Sequence, residues 1–181
     1  MQRTVTTQAD LNGEALDDLK RWLAISRASE DSLLVDLLGT SLALCEAFTG
    51  QAPIEQTVEE RTPVTAGEYA LTTRSIRALV SVELVEQDGN RLPIAESDYT
   101  FEVDAYDTAC FRLHAALEGR CIAIAVRAGV ASDWATLPDA LKQGAIRLAA
   151  YHYRDRDNPR ATPPPASITA LWRPWRSLRI V

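Results

Sequence analysis

The sequence predicts an α+β protein with a helical core of three main helices, an antiparallel β-sheet insertion and an extended C-terminal arm. Three observations carry this reading. Apolar residues recur every three or four positions from Asp10 to Gly50 and again from Leu137 to Asn158, the period of a helix with one buried face. From Ile54 to Arg127 the period drops to two, as in strands buried on one side. A spacer, Thr162-Pro-Pro-Pro, then sets off a last segment rich in Trp and Arg. These changes divide the chain into residues 1–52 (N-terminal core helices), 53–130 (β-insertion), 131–160 (third core helix) and 161–181 (Pro-spaced docking arm).

The first helix places Leu11, Leu16, Leu19, Trp22 and Leu23 near one stripe, with Asn12 as the expected N-cap and acids in the first turn. A longer second helix is expected from a Ser29 cap. Leu34, Leu37, Leu38, Leu42, Cys45 and Phe48 line its core face until Gly50 stops it. Alternation takes over in residues 54–61, 80–86 and 99–104, with Asp88-Gly89 as a tight-turn signal and Pro93 confining its own segment to an edge strand or loop. Residues 109–113 and 121–127 are expected to pair, with Glu118-Gly119 near their turn, giving one sheet of four to six strands. Residues 129–136 read as a small-residue linker carrying Trp134. Pro138 then sits in the first turn of a third helix that becomes basic toward its C-terminus.

Composition narrows the class. With 181 residues, 46% of them hydrophobic and 24% charged, the chain reads as an ordinary globular protein large enough for a real core. The net charge of −6 is unevenly spread: residues 1–138 hold 11 Lys+Arg against 22 Asp+Glu, and residues 139–181 hold 8 against 3. An acidic body repels phosphate, which excludes a nucleic-acid binder with a basic face across the whole domain and suggests two surfaces with different partners. The longest uninterrupted apolar runs, such as Leu33 to Val35 and Ile122 to Val126, are short, so no bilayer span is expected. No apolar stretch precedes Asp10, so a secretory signal is not expected either. Cys45, Cys110 and Cys121 are odd in number and set in apolar surroundings, the pattern of reduced, buried thiols in a cytoplasmic protein. Seventeen of the 19 basic residues are Arg, which reads as genome composition before function.

Catalytic patterns are weak. His114 and His152 lack neighbours at metal-ligand spacing, and the dispersed glycines form no phosphate-binding loop. The acidic pairs Asp17-Asp18, Glu59-Glu60 and Asp104 with Asp107 read as solvated faces, and Cys121 as a structural thiol in an apolar strand. The Arg154-Asp-Arg-Asp run reads as surface ion pairs, within the chain or between subunits.

The least ordinary feature is the C-terminal decapeptide. Trp172 and Trp175 are interleaved with Arg173, Pro174, Arg176 and Arg179 after a stiff spacer. It can fold back as a lid, dock on another chain or stack on nucleic acid. The acidic body disfavours the last. Trp and Arg dominate interface hot spots, and a polyproline spacer lowers the ordering cost of reaching out.

Three segments in order resemble one family. Glu30-Asp-Ser-Leu-Leu with Ala43-Leu-Cys-Glu-Ala-Phe-Thr-Gly50 resembles the opening helical motif of the head-tail connector (adaptor, or head-completion) proteins of siphophage-type tailed phages and gene transfer agents. Residues 137–156 resemble the second signature of that family, and Leu171-Trp-Arg-Pro-Trp-Arg its terminal Leu-Pro-Arg element. The middle strands, with Ala128-Gly129 before the third helix, resemble the longer subfamily, although Tyr69-Ala-Leu-Thr-Thr-Arg-Ser lacks the prolines usual at the insertion's entry.

The resemblance, which spans residues 16 to 178, implies a structural protein and no enzyme, cofactor or metal. Such proteins form a homo-oligomeric ring, typically of twelve subunits, beneath the portal protein of a DNA-filled head, and they dock a stopper or tail-completion protein. Carried over by position, it implies portal contacts at Trp172, Arg173, Pro174, Trp175, Arg176, Leu178 and Arg179. Subunit packing is implied at Leu141, Leu148, Tyr151, Arg154 and Arg156. It further implies assembly in the host bacterial cytoplasm, residence at the head-tail junction of the particle, no membrane, and DNA passing through the channel without specific binding. An acidic channel wall would suit that passage. Two other classes compete: a small cytoplasmic α+β enzyme or ligand-binding protein with a site built from scattered residues, and a scaffold or chaperone module with a Trp-Arg docking peptide.

Overall fold

A computed structural model describes residues 2–104, 108–155 and 163–176. The elements in chain order are β1 (Gln2–Thr7), α1 (Glu14–Leu23), α2 (Asp31–Thr49), β2 (Gln56–Thr62), β3 (Gly67–Ala70), β4 (Ile76–Val85), β5 (Arg91–Pro93), β6 (Tyr99–Val103), β7 (Ala109–Leu113), β8 (Cys121–Ala128), α3 (Asp139–Arg154) and α4 (Ala166–Trp172), followed by a 3-10 turn at Arg173–Trp175. The α+β expectation holds. The chain divides into a β unit, Met1–Gln8 with Glu55–Gly129, and a helical unit, Ala9–Ile54 with Val130–Val181.

The β unit contains two antiparallel sheets, ordered β1-β2-β8-β4-β5 and β3-β7-β6. β8 sits at the centre of the first, and its alternation sorts its two faces. Ile122, Ile124 and Val126 join Val58, Val82, Leu71, Phe111 and Leu113 in one core, while Ala123 and Ala125 lie on the opposite face. Phe111 is fully buried, with the Tyr99 ring 5.5 Å away. β5 is an edge strand after the Asp88-Gly89 turn, where Gly89 takes φ +91°, as the Pro93 argument required.

Residues 109–113 and 121–127 are not a pair. β7 joins β3 and β6, whereas β8 joins β2 and β4. The seven residues between them are too many for a tight hairpin and are tied elsewhere. His114 N–H donates to Asp98 O, Leu117 N–H to Val64 O and Arg120 N–H to Val85 O, at 2.9, 2.9 and 2.8 Å. Gly119 passes so close to Leu84 that a Cβ there would lie 2.6 Å from its Cδ1. The first residues, expected to belong to the helical core, form β1 instead. This edge strand lies on β2, pairing Arg3 with Glu60 and Val5 with Val58.

Buried carboxylates order the polar side of this unit. Glu60 is fully buried, and its oxygens accept from the backbone N–H groups of Thr72 and Thr73 at 3.0 and 2.6 Å and from their hydroxyls at 3.0 and 2.5 Å. Each group is thereby paired, as burial demands. Neighbouring Glu59 accepts from Arg91 at 2.7 Å and Arg61 at 2.9 Å, with Glu83 also on Arg91 at 3.2 Å. Two strands, β4 and β8, lie between β5 and β2, and the small side chains of Ala123 and Ala125 on β8 leave room for Arg91 to reach Glu59 across them.

In the helical unit, Leu11, Leu16, Leu19, Leu34, Leu38, Leu42, Leu141 and Leu148 share one core with Trp134 and Trp172. Two expected caps are corrected. Gly13, not Asn12, precedes α1, because Asn12 is held by Asp10 Oδ1 at 3.0 Å; Glu30, not Ser29, precedes α2. Gly50 does terminate α2, at φ 78°. Trp134 in the linker is buried, its indole N–H donating to Asp18 Oδ2 at 3.0 Å. α2 is long and apolar enough, by length and composition, to cross a membrane. Counting uninterrupted apolar runs misses this, because Asp36, Gly39, Thr40, Ser41 and Glu46 break the apolar sequence while only two of them add charge. Of the three cysteines only Cys45 is buried, and burial pushes its thiol up to about 12.

Two outcomes can be measured. Glu60→Ala strands four donors, two of them backbone N–H groups, and should cost about 3 kcal/mol of unfolding free energy in denaturant titration. The Arg91 guanidinium, helped by Arg61, holds the Glu59 carboxyl below its ordinary value of 4.5. The stabilisation is therefore complete above that value and is lost as pH falls through the lowered one. Arg91→Ala should raise the Glu59 titration midpoint seen by NMR and cost no more than about 1 kcal/mol, because Arg91 lies largely open to water.

Candidate docking surface of the helical unit

The C-terminal segment is built onto α2 and α3. Pro165 precedes α4, whose Ile168 and Trp172 are buried. Trp172 has no exposed surface and lies directly on α3 at Gly144, where a Cβ would come within 2.0 Å of the indole Nε1. The glycine is required by this approach, since any side chain would occupy the indole's place. Phe48 of α2 packs on Trp172 with ring centroids 6.2 Å apart. Among the described residues the buried indole N–H has no hydrogen-bond partner, so the area the ring buries must outweigh an unmet donor.

The 3-10 turn is tied down beside it. Gln51 Nε2 donates to Trp175 O at 2.9 Å, and the Arg176 guanidinium lies 5.7 Å from the Phe48 ring centre. The described part of the arm is therefore a folded element and not an extended one. It presents Arg173, Pro174 and Arg176 to solvent, with Trp175 half-buried.

The residues singled out by sequence thus separate. Trp172, Leu141 and Leu148 lie in the chain's own core. Arg173, Pro174 and Arg176 are on the surface, Arg154 is exposed and Tyr151 half-buried. Leu178, Arg179 and Arg156 lie outside the described residues. Sequence reasoning missed the Gly144 seat. Its only signal is a glycine inside a helical pattern, where it costs about 1 kcal/mol unless packing requires it. It also missed long-range pairs: Tyr153 O–H to Glu30 at 2.6 Å, Lys20 with Asp31 at 2.6 Å, and Arg147 over the Trp22 ring at 5.7 Å.

No protein-family model and no curated protein sequence matches the chain. Solved structures do. A chain from the neck of an empty gene transfer agent particle, computed with C6 symmetry, superposes with a TM-score of 0.78 at 20% identity, covering 100% of this chain and 98% of that one. The chain shares its fold with a gene transfer agent neck chain. A chain from the neck of the native particle, computed with C12 symmetry, gives 0.76 at 22% identity, and one from the virion of the native gene transfer agent gives 0.75 at 22%, each over 100% and 98% of the two chains. The fold shared with the neck chains extends over both units and the C-terminal segment, since the whole length is covered.

Gly144→Ala should drive Trp172 from its seat. The expected result is a loss of about 3 kcal/mol in stability, from overpacking, together with a red-shifted tryptophan emission.

Proposed function

We propose that the chain is a structural head-tail connector, an adaptor that forms an oligomeric ring under the portal of a tailed phage or gene transfer agent. In this role it extends the DNA channel and docks the stopper or tail, without enzymatic chemistry. The observation that carries this reading is the full-length likeness to gene transfer agent neck chains. It is supported by the ordered sequence motifs, which point to the same family independently of the coordinates.

Within this reading the portal contact is made by the exposed Arg173, Pro174 and Arg176 with Trp175 beside them, and extends to Leu178 and Arg179. Trp172 serves the contact indirectly, by anchoring α4 on Gly144. The ring is of twelve subunits, assembled in the bacterial cytoplasm and carried in the particle at the head-tail junction. The excess of 22 acids over 11 bases in residues 1–138 suits a wall past which DNA slides, because like charge prevents adhesion.

The test is complementation of a host strain that makes particles without this chain. Such a strain should accumulate DNA-filled heads and unjoined tails, and the wild-type chain should restore joining. The Arg173→Glu/Arg176→Glu chain should fold with an unchanged melting temperature yet restore at least about tenfold fewer joined particles, since two interface arginines are reversed. Normal particles in the absence of the chain would overturn the reading. Truncation after Pro165 cannot serve here, because it removes Trp172 from the core.

A further inference from the structure

The entry to α1 carries a dipeptide that packing does not explain. Asn12 and Gly13 form an exposed turn between the buried Leu11 and α1. Gly13 has φ −97°, a value open to any residue, and a Cβ there would meet nothing within 4 Å, so neither strain nor space calls for glycine. What glycine does here is leave its own backbone nitrogen unshielded beside the Asn12 side chain. That N–H stands ahead of the first helical turn, where no carbonyl of the helix accepts it. The other asparagines of the chain, Asn90 and Asn158, are placed differently. Asn158 precedes Pro159, which has no N–H to react. Asn90 precedes Arg91, whose side chain crowds the nitrogen, and its carbonyl accepts from the Glu86 N–H at 2.9 Å. In the related Asp88-Gly89 pair, the Gly89 N–H donates to Glu86 O at 3.1 Å and Asp88 Oδ1 accepts from the Asn90 N–H at 2.9 Å.

We propose that Asn12-Gly13 is a self-modification site, where the chain deamidates its own Asn12 at a rate set by Asp10. The Gly13 nitrogen attacks Asn12 Cγ. The N–Cγ bond forms, the Cγ–Nδ2 bond breaks, and Nδ2 leaves as ammonia with the proton that Gly13 gives up. Water then opens the cyclic imide at either of its carbonyls. The product at position 12 is an aspartyl residue or an isoaspartyl one, in which the main chain runs through the former side chain. Asp10 is the brake: its Oδ1 accepts from both the backbone N–H and the Nδ2 of Asn12 at 3.0 Å, and the amide must leave that carboxylate before its carbon can turn to Gly13. The product reverses the contact, because a second carboxylate replaces the Nδ2 donor and like charges repel. An isoaspartyl link also adds one methylene between Leu11, fixed in the core, and Ala15 and Leu16 on the buried face of α1. The site is independent of the connector reading: it gives the chain a clock that alters the entry to α1 with age.

The experiment incubates the full chain in mildly alkaline buffer and follows, by mass spectrometry of tryptic peptides, the mass gained when an amide becomes an acid. An isoaspartyl methyltransferase with a labelled methyl donor counts the isoaspartyl product. Asn12 should convert at least about tenfold faster than Asn90, because only its neighbour lacks a Cβ. Gly13→Ala, which the open space at Gly13 accommodates, should slow conversion to the Asn90 rate with an unchanged melting temperature. Asp10→Ala should speed it severalfold, and the converted chain, separated by ion exchange, should melt at a lower temperature than the unconverted one. In Asn12→Gln, whose longer side chain closes its ring far more slowly, the peptide of residues 4–20 should gain no mass. Conversion of Asn12 no faster than that of Asn90, undiminished conversion in Gly13→Ala, or a mass gain in the Asn12→Gln peptide would each overturn the site. An unchanged rate in Asp10→Ala would overturn the role of Asp10.

Discussion

The seat of Trp172 on Gly144 is the constraint on which the helical unit depends. An indole can lie against a helix backbone only where no Cβ intervenes, and α3 supplies that place at one position of its buried face. Once seated, Trp172 joins α4 to α3, meets Phe48 of α2 and fixes the direction in which Arg173, Pro174 and Arg176 leave the surface. The segment that sequence chemistry marks for a partner is thus held by the same residue that completes the core. Among the described residues its indole N–H has no partner, so the buried area of the ring must outweigh one unmet donor.

The β unit obeys a different rule. β8 is apolar on one face and lined by small residues on the other, so long side chains from other strands cross it. There Arg91 reaches Glu59, while the buried Glu60 takes every donor that the Thr72-Thr73 turn offers. Adjacent glutamates on one strand have two fates because their side chains leave opposite faces. Both are structural, and neither is arranged as an acid-base pair.

Periodicity makes the three helices legible, and the Gly50 stop, the edge strand at Pro93 and the core leucines of α2 come from local chemistry. The features that are not legible depend on partners far along the chain. β1 is a short polar strand whose only local signal is Thr-Val-Thr-Thr, so its place on β2 is decided by pairing. β7 and β8 alternate alike, and only the ties of residues 114–120 send them to different sheets. The same limit applies to the docking surface: Trp172 and Trp175 are alike in sequence, and a glycine 28 residues before Trp172 decides which of them is buried. Trp134 shows it again, because Asp18 lies 116 positions away.

The chain has a helical unit that anchors its own basic terminus, a β unit stapled by carboxylates, and an acidic body. The chain shares its full-length fold with particle neck chains, and on that likeness rests the proposal of a connector ring at the head-tail junction. Symmetry-averaged cryo-electron microscopy of the neck of particles carrying this chain tests that claim most directly. The account predicts a closed ring of copies between portal and tail, with Arg173 and Arg176 against the portal. Particles whose neck density contains no copy of this fold would contradict it.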